Sequence, residues 1–259
     1  MNVVERVANL SERVGWMKEF TGSSLSALRF WLSASRNLDH MGVGTYQGTE
    51  IAFRGLDTMA IKEVLVDMEY AKVVNQLVDI DAPVILDIGA HIGLFSLSVL
   101  KKKPRACVLS VEADPQTYSV LMRNIAALRA KGADWEAIHA AAWGKDGAQL
   151  CFEGAGPSMS HRVSDSGKVL VNTITLKSLI NRVLERHDDI DMLKIDIEGS
   201  EESFLCAAPE LLRHVRSVVI ELHPGLCNAD RVRDVLASAY STFVDLHDRT
   251  SSKPLLLCY

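Results

Sequence analysis

The 259-residue sequence contains no apolar run near the roughly 20 residues that a helix needs to cross a bilayer. Its first residues, MNVVERVANLSERV, interrupt the apolar positions with Glu5 and Glu12, so no continuous apolar region of a secretory leader is expected. The five cysteines, Cys107, Cys151, Cys206, Cys227 and Cys258, are odd in number, scattered and without a C-x-x-C pair. That argues against a disulfide framework or a cysteine zinc site and points to reduced thiols in a cytoplasmic protein. Positive charge is also short: 28 Lys and Arg face 33 Asp and Glu, a net charge of −5. A nucleic-acid binder that works by neutralising phosphates is disfavoured, and no stretch has the lysine-rich face of a membrane-surface helix. Internal repeats and low-complexity tracts are absent.

What remains is patterned. Residues 3 to 38 predict amphipathic helix, with Val4, Val7, Leu10, Val14 and Met17 recurring every three or four positions and a break at Thr21-Gly22-Ser23-Ser24. This stretch holds Trp16, Phe20, Phe30 and Trp31, aromatics suited to packing beneath a sheet, closing a lid or forming a homodimer through the N-terminal helices. Gly42, Gly44 and Gly48 predict a loop, TEIAFRG a short strand, and MAIKEVLVDMEYAKVVNQLV one helix. From Val84 onward strands and helices alternate: VILDIG, ACVLSVEA, WEAIHAAAW, VLVNTITL, DIDMLKIDIEG and VRSVVIELHP are strands with helices between most of them, and TFVDL and PLLLCY close the chain. The expected fold class is α/β, a mostly parallel sheet with helices on both faces. Its organisation is a helical extension over residues 1–45 followed by one domain over 46–259. Ligands of such sheets sit outside the carboxyl ends of the strands.

At the first of those ends, Gly89 and Gly93 flank a strand-to-helix turn, but the third glycine of a dinucleotide fingerprint is missing and Asp87 stands at the lip. A carboxylate repels a diphosphate and favours an ammonium group. S-adenosylmethionine offers that ammonium, with its carboxylate free to meet N–H groups at the helix start. Glu112, about 25 residues on and ending the second strand, is placed to accept from both ribose hydroxyls. Ala113 next to it and Ala141 with Ala142 after the third strand leave room for an adenine ring.

Together, DIGAHIGLFS, VEADPQTYSVLMRNI, LKIDIEGSEESFL and VVIELHP resemble the FkbM-type family of S-adenosylmethionine-dependent methyltransferases, over roughly Arg54 to Pro224. The resemblance implies a Rossmann-like seven-stranded, mostly parallel sheet with the last strand antiparallel. It implies methyl transfer, usually to an oxygen of a sugar, polyketide or other secondary metabolite. It further implies that Asp87, Gly89, Ala90 and Gly93 hold the methionine portion, with His91, where Asn is commoner, in the same turn, and that Glu112 holds the ribose.

The fourth and fifth strand ends add an acidic cluster. Alternation places Lys194, Asp196 and Glu198 on one side and Glu221 with His223 likewise. His223, with an unperturbed pKa of about 6.5, is the expected base for an acceptor hydroxyl, and Asp196 would orient the acceptor or the cofactor amine. Two rivals stand beside this. Asp196, Glu198 and His223 suit a divalent cation such as magnesium, the less favoured version, with no residue assigned as metal ligand; or Lys194 neutralises Asp196 in a purely structural network. Ser158, Ser160, His161 and Arg162 are weighed as acceptor-pocket residues, and Tyr70 as a cover for the cofactor. The expected partner is a small-molecule hydroxyl acceptor, with no nucleic acid. A nicotinamide-dependent oxidoreductase and an inactive S-adenosylmethionine-binding scaffold are the alternative functions.

Overall fold

A computed structural model of the protein describes residues 15–153, 162–163, 169–247 and 252–259. Residues 3–14 of the expected N-terminal helix, together with Ser158, Ser160 and His161, lie outside them.

Helix α1 (residues 15–21 of its described part) and α2 (Ser24–Ala34) precede a hairpin of β1 (Met41–Tyr46) and β2 (Thr49–Arg54). The glycine-marked loop is therefore a strand. A Cβ on Gly44 would lie 2.1 Å from the Phe20 ring and one on Gly42 would lie 2.8 Å from the Phe30 ring. These glycines let aromatic rings of the two helices lie on the strand, and only Gly48 serves the turn. The boundary expected after residue 45 falls inside β1, and Met17, Phe20 and Phe30 belong to the same buried cluster as the central sheet. The expected single helix over residues 59–78 is split. α3 (Thr58–Ile61) continues as a π turn to Val66, Met68 takes φ +56°, and α4 (Ala71–Gln76) restarts the helix.

The central sheet contains β3 (Val84–Ile88), β4 (Cys107–Glu112), β5 (Asp134–His139), β10 (Met192–Ile195), β11 (Val218–Glu221), β12 (Phe243–Asp245) and β13 (Leu255–Cys258). Its order is β12–β13–β11–β10–β3–β4–β5, with β13 antiparallel to both neighbours. β3 is buried at all five positions, as expected of a strand covered on both faces. Ile85 and Val108 face one apolar cluster, Leu86, Ile88, Leu109 and Val111 the other. The first cluster is covered by α5 (Leu94–Lys102) and α6 (Pro115–Arg129), the second by α7 (Leu176–Leu184), α8 (Glu201–Leu205) and α9 (Ala229–Ala239). α6 starts where Asp114 accepts from the Thr117 N–H at 2.7 Å and Pro115 opens the first turn, a cap worth about 1 kcal/mol. A smaller sheet, β6 (Ala141–Ala142), β9 (Val169–Ile174), β7 (Gln149–Glu153) and β8 (Arg162–Val163) in that order, extends from the end of β5.

Strand order reverses between β3 and β10, because β4 and β5 follow on one side and β10 and β11 on the other. Their carboxyl ends splay there and open a crevice.

Candidate functional site

A cavity of about 540 Å³ fills that crevice. Gly89, Ala90, His91, Glu112, Ala113 and Ala141 line its β3–β4–β5 side, and Lys194, Asp196, Glu198 and Glu221 its β10–β11 side.

The glycine turn is built by packing. Gly89 has φ +73°, and a Cβ there would stand 1.7 Å from the Asp196 carbonyl oxygen. Gly93, φ +88°, has the Trp135 ring 2.6 Å from where a Cβ would be. The N–H groups of Gly89 and Ala90 both donate to the Val111 carbonyl at 2.9 Å, and the Gly93 N–H donates to Ala90. The His91 N–H donates to Glu112 Oε2 at 2.8 Å. These donors are spent inside the turn. The first-turn N–H groups of α5, from Leu94 and Phe95 on the cavity wall, are what the helix offers to an anion. His91 holds φ +54°, a conformation that Asn and His tolerate better than most residues.

The expected contact between Asp87 and an ammonium is corrected. Asp87 is fully buried beneath the turn and does not line the cavity. Its Oδ2 accepts from Ser96 Oγ at 2.5 Å, and its Oδ1 lies 3.6 Å from Lys194 Nζ. Ser96 spends its one proton on Asp87, so at 3.2 Å Ser110 donates to Ser96 while accepting from Trp135 Nε1 at 2.9 Å. This buried polar chain anchors the turn to β4 and β5. Lys194 Nζ, donating to the Gly89 carbonyl at 2.6 Å and 3.7 Å from Asp196, carries the charge of Asp87 to the cavity wall. Burial opposes the Lys194 charge, but Asp196 and Asp87 outweigh it and raise its pKa. Asp196, with 28% of its side chain exposed, is the carboxylate that faces the cavity, and Lys194 holds its pKa down against the effect of burial.

Glu112 ends β4 with both oxygens committed to backbone, Oε2 to His91 N–H and Oε1 to Asp114 N–H at 2.9 Å. That fixes its carboxylate on the cavity wall with lone pairs left over; burial pushes its pKa up. Behind it, Arg54 grips Asp57 through Nε and Nη2 at 3.0 and 2.8 Å, and Nη2 also donates to Thr117 Oγ1. Asp57 reaches His91 Nε2 at 3.2 Å. Burial would raise the Asp57 pKa, yet His91 and Arg54 hold it far below the usual carboxylate range. Arg54 and Asp57 thus brace the His91 turn from the hairpin. Ala113 and Ala141 pack with Val171 as a small apolar wall.

The β10 and β11 strands end sooner than expected, at Ile195 and Glu221, so Asp196, Glu198 and His223 sit in the loops just beyond. They still converge: one ligand atom each from Asp196, Glu198, Glu221 and His223 lie within 4.8 Å of one another. Glu198 is held at φ +48°, a strain of about 1 kcal/mol or more for a residue with a side chain. The assignment of His223 as a base is corrected. Its ring is 3% exposed, Nδ1 lies 2.6 Å from Glu201, and Nε2 lies 3.2 Å from Glu198 and 3.4 Å from Glu221. Burial would lower its pKa, but Glu198, Glu201 and Glu221 push it up to about 12. A ring that holds its proton so firmly does not accept another, and it does not line the cavity.

Sequence reasoning missed Glu63, Glu69, His247, Ser252 and Lys253 on the cavity wall, while Tyr70, weighed as a cover, lines it with its ring edge against Phe95. Burial, and repulsion from Glu69, Glu221 and Asp196, push Glu63 up to about 6. His247 ties two of these elements together, Nε2 to Glu69 at 2.7 Å and Nδ1 to the Lys253 carbonyl at 2.9 Å. Lys253 Nζ donates to both Glu198 oxygens at 3.1 and 3.2 Å.

The chain is 30% identical over 174 residues to "Methyltransferase sdnD" of Sordaria araneosa; the match spans 54% of this chain and 66% of that protein's length. Among solved structures, the METTL16 MTase domain is 12% identical, covers 89% of this chain and 91% of its own, and superposes with a TM-score of 0.50. TYW2 of M. jannaschii, solved in complex with AdoMet, is 12% identical, covers 85% and 84% of the two chains and superposes at 0.44. The Rossmann-like methyltransferase fold is common to the first of these and this chain. Residues 87–243, from the buried acid under the turn to the first residue of β12, match the methyltransferase FkbM domain, and the chain belongs to that family.

Proposed function

We propose that the protein transfers the methyl group of S-adenosylmethionine to a hydroxyl of a small molecule, a sugar or another secondary metabolite. One observation carries the reading: a single cavity joins the Glu112 side of the sheet to the acidic β10–β11 side at the strand-order reversal. Membership of the FkbM methyltransferase family supports the reaction class.

Glu112 takes the ribose hydroxyls, and Ala113 and Ala141 flank the adenine. The α5 N-terminus and Lys194 receive the carboxylate of the methionine portion. Asp196 takes its ammonium, with Asp87 acting through Lys194 instead of touching the ligand. Gly89, Ala90, His91 and Gly93 shape the wall that the methionine portion follows. The acceptor then lies between the sulfonium and Glu63, Glu198 and Glu221. In the transfer an oxygen lone pair forms the new C–O bond while the S–CH3 pair returns to sulfur, leaving S-adenosylhomocysteine. The hydroxyl proton leaves to a carboxylate or water at the acidic side. Alignment of oxygen, carbon and sulfur is the main thing the protein supplies.

Calorimetric titration with S-adenosylmethionine, S-adenosylhomocysteine and NAD tests the first half. Incubation of the protein with methyl-labelled S-adenosylmethionine and a panel of sugars and polyketide alcohols tests the second. Binding of both adenosyl ligands and labelled O-methyl product is expected. Absence of adenosyl binding overturns the reading, and binding without labelled product from any hydroxyl overturns the O-methyl assignment.

A further inference from the structure

The acidic side of the cavity contains an unbalanced imidazole. His223 is buried, and its Nδ1 is 2.6 Å from Oε1 of Glu201, whose side chain is fully buried. A carboxylate there only accepts, so Nδ1 carries the hydrogen. Nε2 has no well-aligned hydrogen-bond partner and points among carboxylates, 3.2 Å from Glu198 Oε2 and 3.4 Å from Glu221 Oε2. A buried ring nitrogen aimed between two anions is a position that a proton or a metal ion fills, and a bound cation would displace the proton that the carboxylates otherwise hold there.

The spacing suits a metal ion. A small divalent cation with bonds of about 2.1 Å holds its ligands roughly 3 to 4.2 Å apart. The ligand atoms of Asp196, Glu198, Glu221 and His223 lie within 4.8 Å of one another. Glu201 on Nδ1 supplies the outer carboxylate that fixes the tautomer and turns a ligating histidine toward its metal. Among the described residues, the lysines nearby are Lys194, shared with Asp87 and Asp196, and Lys253, bound to Glu198. Glu198, already engaged by Lys253, is the weakest ligand of the four. Three carboxylate oxygens and one imidazole nitrogen fit manganese(II) better than calcium, which prefers an all-oxygen shell.

We propose that Asp196, Glu198, Glu221 and His223 bind one divalent cation of the manganese type on the acidic side of the cavity, oriented by Glu201. The site deepens the methyl-transfer reading, because the cation would take an acceptor oxygen and so select hydroxyls with a second oxygen beside them, such as vicinal diols or 2-hydroxy acids. Its use rests on that reading; its existence does not.

The test is manganese binding to the full chain, stripped with EDTA and titrated with MnCl2, followed by loss of the free-ion paramagnetic resonance signal. One ion per chain is expected, with a rise in Tm on addition of Mn²⁺. Glu221→Gln should weaken binding at least about 10-fold, and Glu201→Gln, which removes no ligand, about 10- to 100-fold. Glu136→Gln, on the far edge strand β5, should bind as the parent does. Calorimetry with S-adenosylhomocysteine in EDTA shows that each variant is folded. No bound manganese, or equal binding by parent, Glu221→Gln and Glu201→Gln, overturns the metal site. Manganese binding without any product methylated on a hydroxyl leaves the site standing and removes the O-methyl assignment. Undiminished product from stripped protein that binds no manganese does the reverse.

Discussion

If Gly89 is required by the approach of another backbone, replacing it must cost more than its positive φ alone. The comparison is with Gly48, at φ +74° in the β1–β2 hairpin, where an added Cβ would have nothing within 4 Å. Gly48→Ala carries only the left-handed backbone penalty, about 1 kcal/mol. For a chain of this size that lowers Tm by about 2–4 °C. Gly89→Ala has the same penalty at φ +73° and also places its Cβ 1.7 Å from the Asp196 carbonyl oxygen. That oxygen is backbone and cannot rotate aside, so β3 and β10 must part at their ends. Overpacking of this kind costs about 1–3 kcal/mol, which brings the total to about 2–4 kcal/mol and the Tm fall to about 4–16 °C. Parting these strands also lengthens the 2.6 Å bond from Lys194 to the Gly89 carbonyl, so affinity for S-adenosylhomocysteine should drop with stability. Differential scanning calorimetry of both variants, with ligand titration at a temperature where both are folded, reads the two effects. A Gly89→Ala Tm no lower than that of Gly48→Ala would refute the reasoning.

Asp57→Asn leaves the buried Arg54 guanidinium half-paired and should cost about 3–5 kcal/mol near neutral pH. Because Asp57 has a depressed pKa in the folded protein, its contribution is complete above the unfolded value of about 3.9 and is lost as pH falls toward the folded value. The stability gap between parent and variant, from urea unfolding, should therefore be constant from pH 7 to about 5 and narrow below about 4. Glu112→Gln keeps an acceptor for one backbone N–H but gives up the charge, and should weaken S-adenosylhomocysteine at least about 10-fold by calorimetry, the scale of one charge-assisted hydrogen bond. Phe20→Ala empties a site against Phe53, whose ring centroid is 5.2 Å away, and should cost about 3–5 kcal/mol while leaving that affinity within a factor of two. An equal loss of affinity would mean that the N-terminal helices shape the cavity.

Legibility in the sequence followed the range of the physics involved. The strands from Val84 onward are readable because most are short apolar runs between helices, and some of those helices announce their start with a cap, such as Asp114-Pro115. The carboxyl ends of those strands pointed to Glu112, Asp196 and Glu221 by a rule of topology alone. What failed was distance through space. The place of Asp87 at the strand end, visible in sequence, suggests contact with a ligand, while Ser96 and Lys194, which claim its oxygens from nine and 107 positions further on, are invisible there. His223 was read at its unperturbed pKa for the same reason. Its three carboxylates come from a loop, a helix start and a strand end, and only their meeting around one buried ring reverses its chemistry. Gly42 and Gly44 look like loop residues in one dimension and prove to be seats for Phe20 and Phe30 in three.

Lys253 was within reach. An antiparallel strand set into a parallel sheet begins where its neighbours finish, so the residue preceding PLLLCY must arrive at the same mouth as Asp196 and Glu221. A lysine delivered there, into a group of carboxylates, follows from strand direction and charge alone. Glu63 and Glu69 had no such signal, since they come from the broken helix ahead of β3, and only the left-handed residue at Met68 turns that segment over the crevice. Met68→Gly should therefore relieve strain and raise Tm by about 2–4 °C, the return of about 1 kcal/mol. A fall in Tm would mean that the Met68 side chain, half exposed as it is, holds the Glu63–Glu69 segment by contact instead of by backbone geometry.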